Sequence, residues 1–198
     1  NFKVFDFLGT KQIIARSGYS KEDGFEIYFK GHEDYFDSVK LGEQLWDIIW
    51  KAGQNFNLLP GCPNLIDRIE AGLMSYGNDF TKENNPLECN LDKYCDPKET
   101  HDFIGKKAML EKNSNEKLWG LKYEGRGPSP RLGHTVYEND DLNSNKLGII
   151  TSGAPSPSLE NKGIAMGYFS DLELGQVVYV AASKRKLVAA KVITPPFI

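Results

Sequence analysis

Alternation of apolar and polar positions is sharpest just after Gly24. Phe25, Ile27 and Phe29 fall on one face of a strand, and Glu26, Tyr28 and Lys30 fall on the other. Ile13, Ile14 and Ala15 form a short apolar run upstream, and Gly18 with Asp23-Gly24 break the chain between the two. The pattern predicts a strand end, a polar turn and a second strand. Residues 2–8 read as the tail of an element that begins before the chain does. Over 33–53 the period lengthens: Leu41, Leu45, Ile48, Ile49 and Ala52 recur at helical spacing, and Gly53 stops the helix. Trp46 and Trp50 lie one turn apart on it and read as core or domain-interface packing. Phe56 to Leu59 reads as a short buried strand or connector. Pro60-Gly61-Cys62-Pro63 then turns the chain into a helix from near Asn64. Leu65, Ile66, Ile69 and Leu73 share its stripe, with Asp67 and Arg68 off it.

Residues 80–100 are polar, carry Pro86 and Pro97, and read as a long connection. Phe103 to Lys112 predicts a short helix. From Glu116 the pattern becomes short strands between Gly, Pro and Asn turns, at 117–123, 132–138, 146–152, 163–169, 176–182 and 186–193. Strands of this length and spacing predict a small antiparallel barrel or sandwich. Gly125-Arg126-Gly127-Pro128 and a Ser152-Gly153 corner are expected to set loop geometry.

Composition narrows the function classes. The chain has 198 residues, 40% hydrophobic and 26% charged, with a formal net charge of -3. That is an ordinary globular profile, and dispersed Lys and Arg give no footprint for nucleic acid. No apolar run approaches the roughly 20 residues of a membrane span, and Asn1 opens no signal-like segment. Cys62, Cys89 and Cys95 are an odd count, which argues against a disulfide framework. Cys89, Cys95 and His101 match no common zinc spacing, so no metal is expected. A cytoplasmic location with reduced thiols is the expectation.

Glu26 beside Tyr28 is the candidate chemistry. An acceptor-only carboxylate takes paired N–H donors from a heteroaromatic edge, and a phenol face offers stacking or attracts a cation. Tyr19, across the turn, is placed to close over the same spot. Arg68 can pair at the surface with Asp67 or Glu70, a contact worth little. A hairpin whose Glu and Tyr simply face solvent fits the alternation equally well.

The stretch Ser17-Gly18-Tyr19-Ser20-Lys21-Glu22-Asp23-Gly24-Phe25-Glu26-Ile27 resembles the TGYTGEDGFEI-type signature of the glycine-cleavage T-protein family, the folate-dependent aminomethyltransferases. The resemblance continues through Asp67-Arg68-Ile69-Glu70-Ala71-Gly72 with Ser75-Tyr76-Gly77-Asn78. It resumes at Asp102 to Ala108, at Gly148 to Gly153 and at Ser156-Pro157-Ser158-Leu159. It implies an α+β fold corresponding to the C-terminal part of that family's three-domain architecture. Residues 1–100 would belong to the folate-binding region and 101–198 to a β-barrel domain with its core at about 116–195. It also implies tetrahydrofolate as the one-carbon acceptor. Tyr19, Glu26, Arg68 and Tyr76 would contact folate, and Tyr19 and Tyr28 the substrate, with the protein positioning rather than donating a catalytic group.

Gly61-Cys62-Pro63-Asn64 stands where aminomethyltransferases carry a Gly-Ala-Arg-Asp segment. With Ser75-Tyr76-Gly77-Asn78-Asp79, it looks more like the dimethylsulfoniopropionate demethylases, which move a methyl from a sulfonium to tetrahydrofolate. Those demethylases carry Trp where this chain has Tyr19, and a less acidic turn than Glu22-Asp23. The resemblance implies a small sulfonium substrate, leaves a homodimer open, and makes the chain look like a C-terminal half. A true aminomethyltransferase, a sarcosine-type demethylase module and a non-catalytic folate binder are the alternatives.

Overall fold

A computed structural model describes residues 1–61, 64–99, 101–112, 115–184 and 186–198. The chain forms two compact units, Asn1–Pro63 and Asn64–Ile198.

In the first unit, β1 (Phe2–Phe7), β2 (Thr10–Ala15) and β3 (Glu26–Tyr28) make an antiparallel sheet in that order. Residues 2–7 form a strand, paired with β2 through a Leu8-Gly9 turn. Both turn residues have positive φ, 50° and 76°, as a tight hairpin of this kind requires. Gln12 fastens the sheet from within: its Oε1 accepts from Lys30 N at 2.6 Å, and its Nε2 donates to Thr10 Oγ1 at 2.9 Å. It is the only buried position described in this unit.

Helix α1 (Tyr35–Gly53) starts where Asp34 caps it, accepting from Phe36 N at 2.8 Å and Asp37 N at 3.1 Å. None of its residues is buried. Trp46 and Trp50 stack on one another, centroids 6.1 Å apart and 8° from parallel, and Trp46 is exposed. Core packing of these rings within the unit, one reading of their spacing, is not what the structure shows. Phe56 to Leu59 also departs from expectation. Gln54–Phe56 is a 3-10 turn, Asn57 adopts a left-handed φ of 55°, and Phe56 and Leu59 are exposed. Leu58 packs against Gly53 instead, which breaks any strand. Cys62 and Pro63 of the Gly61-to-Asn64 motif lie outside the described residues.

The second unit carries the core. Helix α2 (Leu65–Glu70) is capped by Asn64, whose Oδ1 accepts from Ile66 N at 2.7 Å and Asp67 N at 3.0 Å. Gly72, with φ at 68°, ends it early, so Leu73 lies beyond the helix. Helix α3 (Lys106–Glu111) is shorter than its apolar pattern suggests. Six strands follow: β4 (Glu116–Tyr123), β5 (Thr135–Tyr137), β6 (Lys146–Ser156), β7 (Lys162–Ser170), β8 (Val177–Ser183) and β9 (Lys186–Ile193). They close an antiparallel barrel in the order β4-β7-β6-β5-β8-β9. Alternation sends Val178 and Val180 of β8 inward against Leu121, Val136, Ile150 and Val192.

On β7 both faces are covered. Ala165 and Phe169 fill the interior, while Ile164 and Met166 meet Ile69 of α2. That outer cluster explains why residues 64–99 pack with the barrel rather than with the first unit. Within the 80–99 connection, Glu88 O accepts from Leu118 N at 2.7 Å and Asn90 Nδ2 donates to Leu118 O at 2.6 Å. The second compact unit thus takes in these residues, from Asn64 onward. Ser152-Gly153 is not a corner but part of β6. A Cβ on Gly153 would stand 2.7 Å from Pro130 O, so the glycine permits close approach of the 129–132 segment.

Candidate functional site

Strand β3 pairs Ile13 with Tyr28, Ile14 with Ile27 and Ala15 with Glu26. A two-residue period then places Glu26 and Tyr28 on one face, side by side, as the sequence predicts. Tyr28 OH donates to Glu26 Oε2 at 3.5 Å, and Ser17 Oγ donates to the same oxygen. Oε1 accepts nothing among the described residues. Glu26 and Tyr28 are both exposed. The carboxylate is therefore held by one oxygen and presents the other. Ser17 is the contributor that sequence reasoning missed. It was legible only as part of the motif, because a serine before a glycine turn has many possible partners.

Tyr19 sits within the polar bend after β2 and is 48% exposed. The bend is pinned by Arg16, which pairs with Asp23 and lies over the Phe25 ring at 5.7 Å.

In the second unit Arg68 is not a surface residue. Its side chain is 6% exposed and Asp79 is fully buried beside it, Nη1 to Oδ2 2.7 Å. Nη1 also donates to Leu73 O at 3.0 Å, and Nη2 to Ser152 Oγ at 2.7 Å. Asp79 further accepts from Ser75 N at 2.9 Å and Thr151 Oγ1 at 2.6 Å. Pairing with Asp67 or Glu70, the surface alternative, is excluded by this geometry. α2 is too short and too closely seated on the barrel to turn position 68 to solvent. Arg68 nonetheless borders a cleft of about 510 Å³ with Leu65, Ile66, Asn78, Arg131 and Ser152. Tyr76 does not line it. It is exposed and meets the Phe80 ring edge-on at 5.5 Å.

Glu70 is the second buried acid. Ser156 Oγ donates to its Oε1, Ser158 N to Oε1 at 3.1 Å, and Ser158 Oγ to Oε2 at 3.0 Å. Burial raises its carboxyl pKa, but these three bonds outweigh burial and hold it below the ordinary value. The Ser-Pro-Ser stretch at 156–158, visible as a motif, thus locks α2 to the barrel. Buried Cys89 lies 3.0 Å from Tyr168 OH. Burial pushes its thiol pKa up, so it is a poor nucleophile. No cluster of three His, Cys, Asp or Glu suited to a metal occurs among the described residues. No helix among them is long and apolar enough to cross a membrane.

Residues 1–99 match the GCVT N-terminal domain, and residues 116–198 match the glycine cleavage T-protein C-terminal barrel domain. The dimethylsulfoniopropionate demethylase DmdA of Ruegeria pomeroyi is 47% identical over 114 residues, 58% of this chain and 29% of that protein. An aminomethyltransferase of Aquifex aeolicus is 42% identical over 172 residues, 87% of this chain and 42% of that protein. The crystal structure of the glycine cleavage system aminomethyltransferase T from Bartonella henselae superposes with a TM-score of 0.70. It is 29% identical, and the match covers 94% of this chain and 50% of that one. The chain spans about half the length, or less, of the relatives it matches.

Proposed function

The chain belongs to the glycine-cleavage T-protein (aminomethyltransferase) family, and on that premise we propose that it serves folate-dependent methyl transfer from dimethylsulfoniopropionate to tetrahydrofolate. The observation that carries the reading is Glu26, one oxygen held by Ser17 and Tyr28 and the other open. An acceptor-only group of this kind fits the adjacent N–H donors of a pterin edge. Tetrahydrofolate, the methyl acceptor and so a substrate, supplies the nucleophilic nitrogen.

The methyl group of a sulfonium is already activated. As its carbon bonds to nitrogen, the C–S bond breaks, the electron pair goes to sulfur, and a neutral sulfide leaves. The nitrogen then sheds its proton to water. No acid is required, so the side chains have only to position and exclude water. On this reading Glu26 fixes the folate, with Tyr19 as a further folate contact in the same unit. Tyr28 and Tyr19 offer aromatic faces to the sulfonium. The 47% identity to DmdA supports the methyl donor.

Aminomethyl transfer is the second reading, favoured by the greater coverage of the Aquifex aminomethyltransferase, 87% of this chain. The whole protein, incubated with tetrahydrofolate and dimethylsulfoniopropionate, should give 5-methyltetrahydrofolate and methylthiopropanoate. If it forms neither yet releases 5,10-methylenetetrahydrofolate from an aminomethylated carrier, the second reading replaces the first.

A further inference from the structure

A second cavity on the barrel unit is lined by none of Tyr19, Glu26, Tyr28, Arg68 and Tyr76. It encloses about 470 Å³, within the range of small-molecule sites. Four stretches far apart in the chain meet there. Leu73 and Met74 come from the turn after α2, Leu91 from the 80–99 connection, Leu118 from β4, and Pro195 with Pro196 from the tail after β9.

The fold fixes these walls. Leu73 N donates to Arg68 O at 2.7 Å, Leu91 N to Pro86 O at 2.9 Å, and Phe197 N to Glu70 O at 2.9 Å. Pro195 packs directly on Gly72, where a Cβ would stand 2.8 Å from Pro195 Cβ. Cys89 also borders the cavity, and burial keeps it a neutral thiol by raising its pKa. The interior surface is therefore apolar and uncharged.

The rim is different. Lys93, on the 3-10 turn Asp92–Tyr94, is the one charged side chain that lines the cavity among the described residues. Its Nζ lies 4.8 Å from the centroid of the Tyr94 ring, and both residues are exposed. Lys93 makes no ion pair among the described residues, and no carboxylate lines the cavity. An ammonium resting on a ring face keeps its charge and has donors left for an anion. Apart from Tyr94 the lining carries no aromatic ring, so the walls suit an aliphatic chain better than a flat one. Met74, an unbranched thioether, adapts to such a chain.

We propose that this cavity binds an aliphatic carboxylate. Its chain lies against Leu73, Met74, Leu91 and Leu118, and its charged group meets Lys93 at the rim. The inference does not rest on the folate reading, which turns on Glu26 in the other unit.

Isothermal titration of the whole protein with sodium octanoate at millimolar concentration tests it. Neutral octanamide should bind about three- to tenfold more weakly, as should octanoate to Lys93→Ala, with recovery in Lys93→Arg. From butanoate to octanoate, affinity should rise about fourfold per added methylene as each is taken out of water. Lys93 is exposed, so its replacement leaves the core intact. Absence of binding, equal affinity for octanoate and octanamide, an unchanged Lys93→Ala, or affinity independent of chain length would each overturn the proposal. Glu26→Ala separates the two claims. It should bind octanoate as the wild type does whatever happens to tetrahydrofolate, and loss of octanoate binding there, or displacement of octanoate by tetrahydrofolate, would overturn the assignment of a separate site.

Discussion

Truncating Asp79 to alanine should cost the barrel unit more stability than any surface charge could. The Arg68 and Asp79 side chains are 6% and 0% exposed, with 2.7 Å between Nη1 and Oδ2. Removing one partner strands a buried guanidinium, a change worth about 3–5 kcal/mol. Ser75 N and Thr151 Oγ1 lose their acceptor as well. With a urea dependence of about 2 kcal/mol per molar for a unit of this size, the midpoint should fall by roughly 1.5–2.5 M. Trp119 on β4 packs against the barrel core and reports on this unit. The measurement is therefore its fluorescence in a background with Trp46 and Trp50 changed to Phe. Replacing both partners by apolar residues, Arg68→Met with Asp79→Leu, should recover most of the loss. A midpoint shift below about 0.5 M in Asp79→Ala would mean the pair behaves like an exposed one, and the account of α2 docking would be wrong.

Two further outcomes concern the same unit. Glu70 has its pKa lowered in the fold, so its bonds stabilise above the ordinary value of 4.5 and that contribution is lost as pH falls through the folded value. The melting temperatures of wild type and Glu70→Gln should therefore differ most at pH near 6 and converge toward pH near 3; a constant gap would contradict this. Tyr123 OH is buried in the barrel with no hydrogen-bond partner among the described residues. Tyr123→Phe should then leave the urea midpoint unchanged or raise it by the equivalent of about 1–2 kcal/mol, and a clear fall would reveal an acceptor for the hydroxyl.

The barrel was legible because its signal is local. Alternating strands such as Val177–Ser183 show their inward positions in the sequence, and the six strands lie within a few residues of their expected places. Helix α1 was legible for the same reason, although the Asp34 cap that starts it was not read from the sequence. What escaped depends on distant partners. Arg68 reads as a surface cation by helical period, and only Asp79 and Ser152, the latter 84 residues away, make it a buried one. Phe56 and Leu59 read as buried by hydropathy, but a left-handed Asn57 between them leaves both exposed. Of the candidate site, Glu26 beside Tyr28 followed from strand period alone. The Ser17 contact did not, since it joins residues nine positions apart across the bend at 16–25.

The central claim is that Glu26 holds folate, and its most direct measurement is tetrahydrofolate affinity of the whole protein beside Glu26→Ala and Glu26→Gln. A carboxylate accepting paired N–H donors contributes about 1.5–3 kcal/mol. Glu26→Ala should therefore weaken binding by roughly ten- to a hundredfold, with Glu26→Gln hardly better because its amide meets one donor with another. Unchanged affinity in Glu26→Ala would contradict the account and reduce Glu26 and Tyr28 to the solvent face of a hairpin.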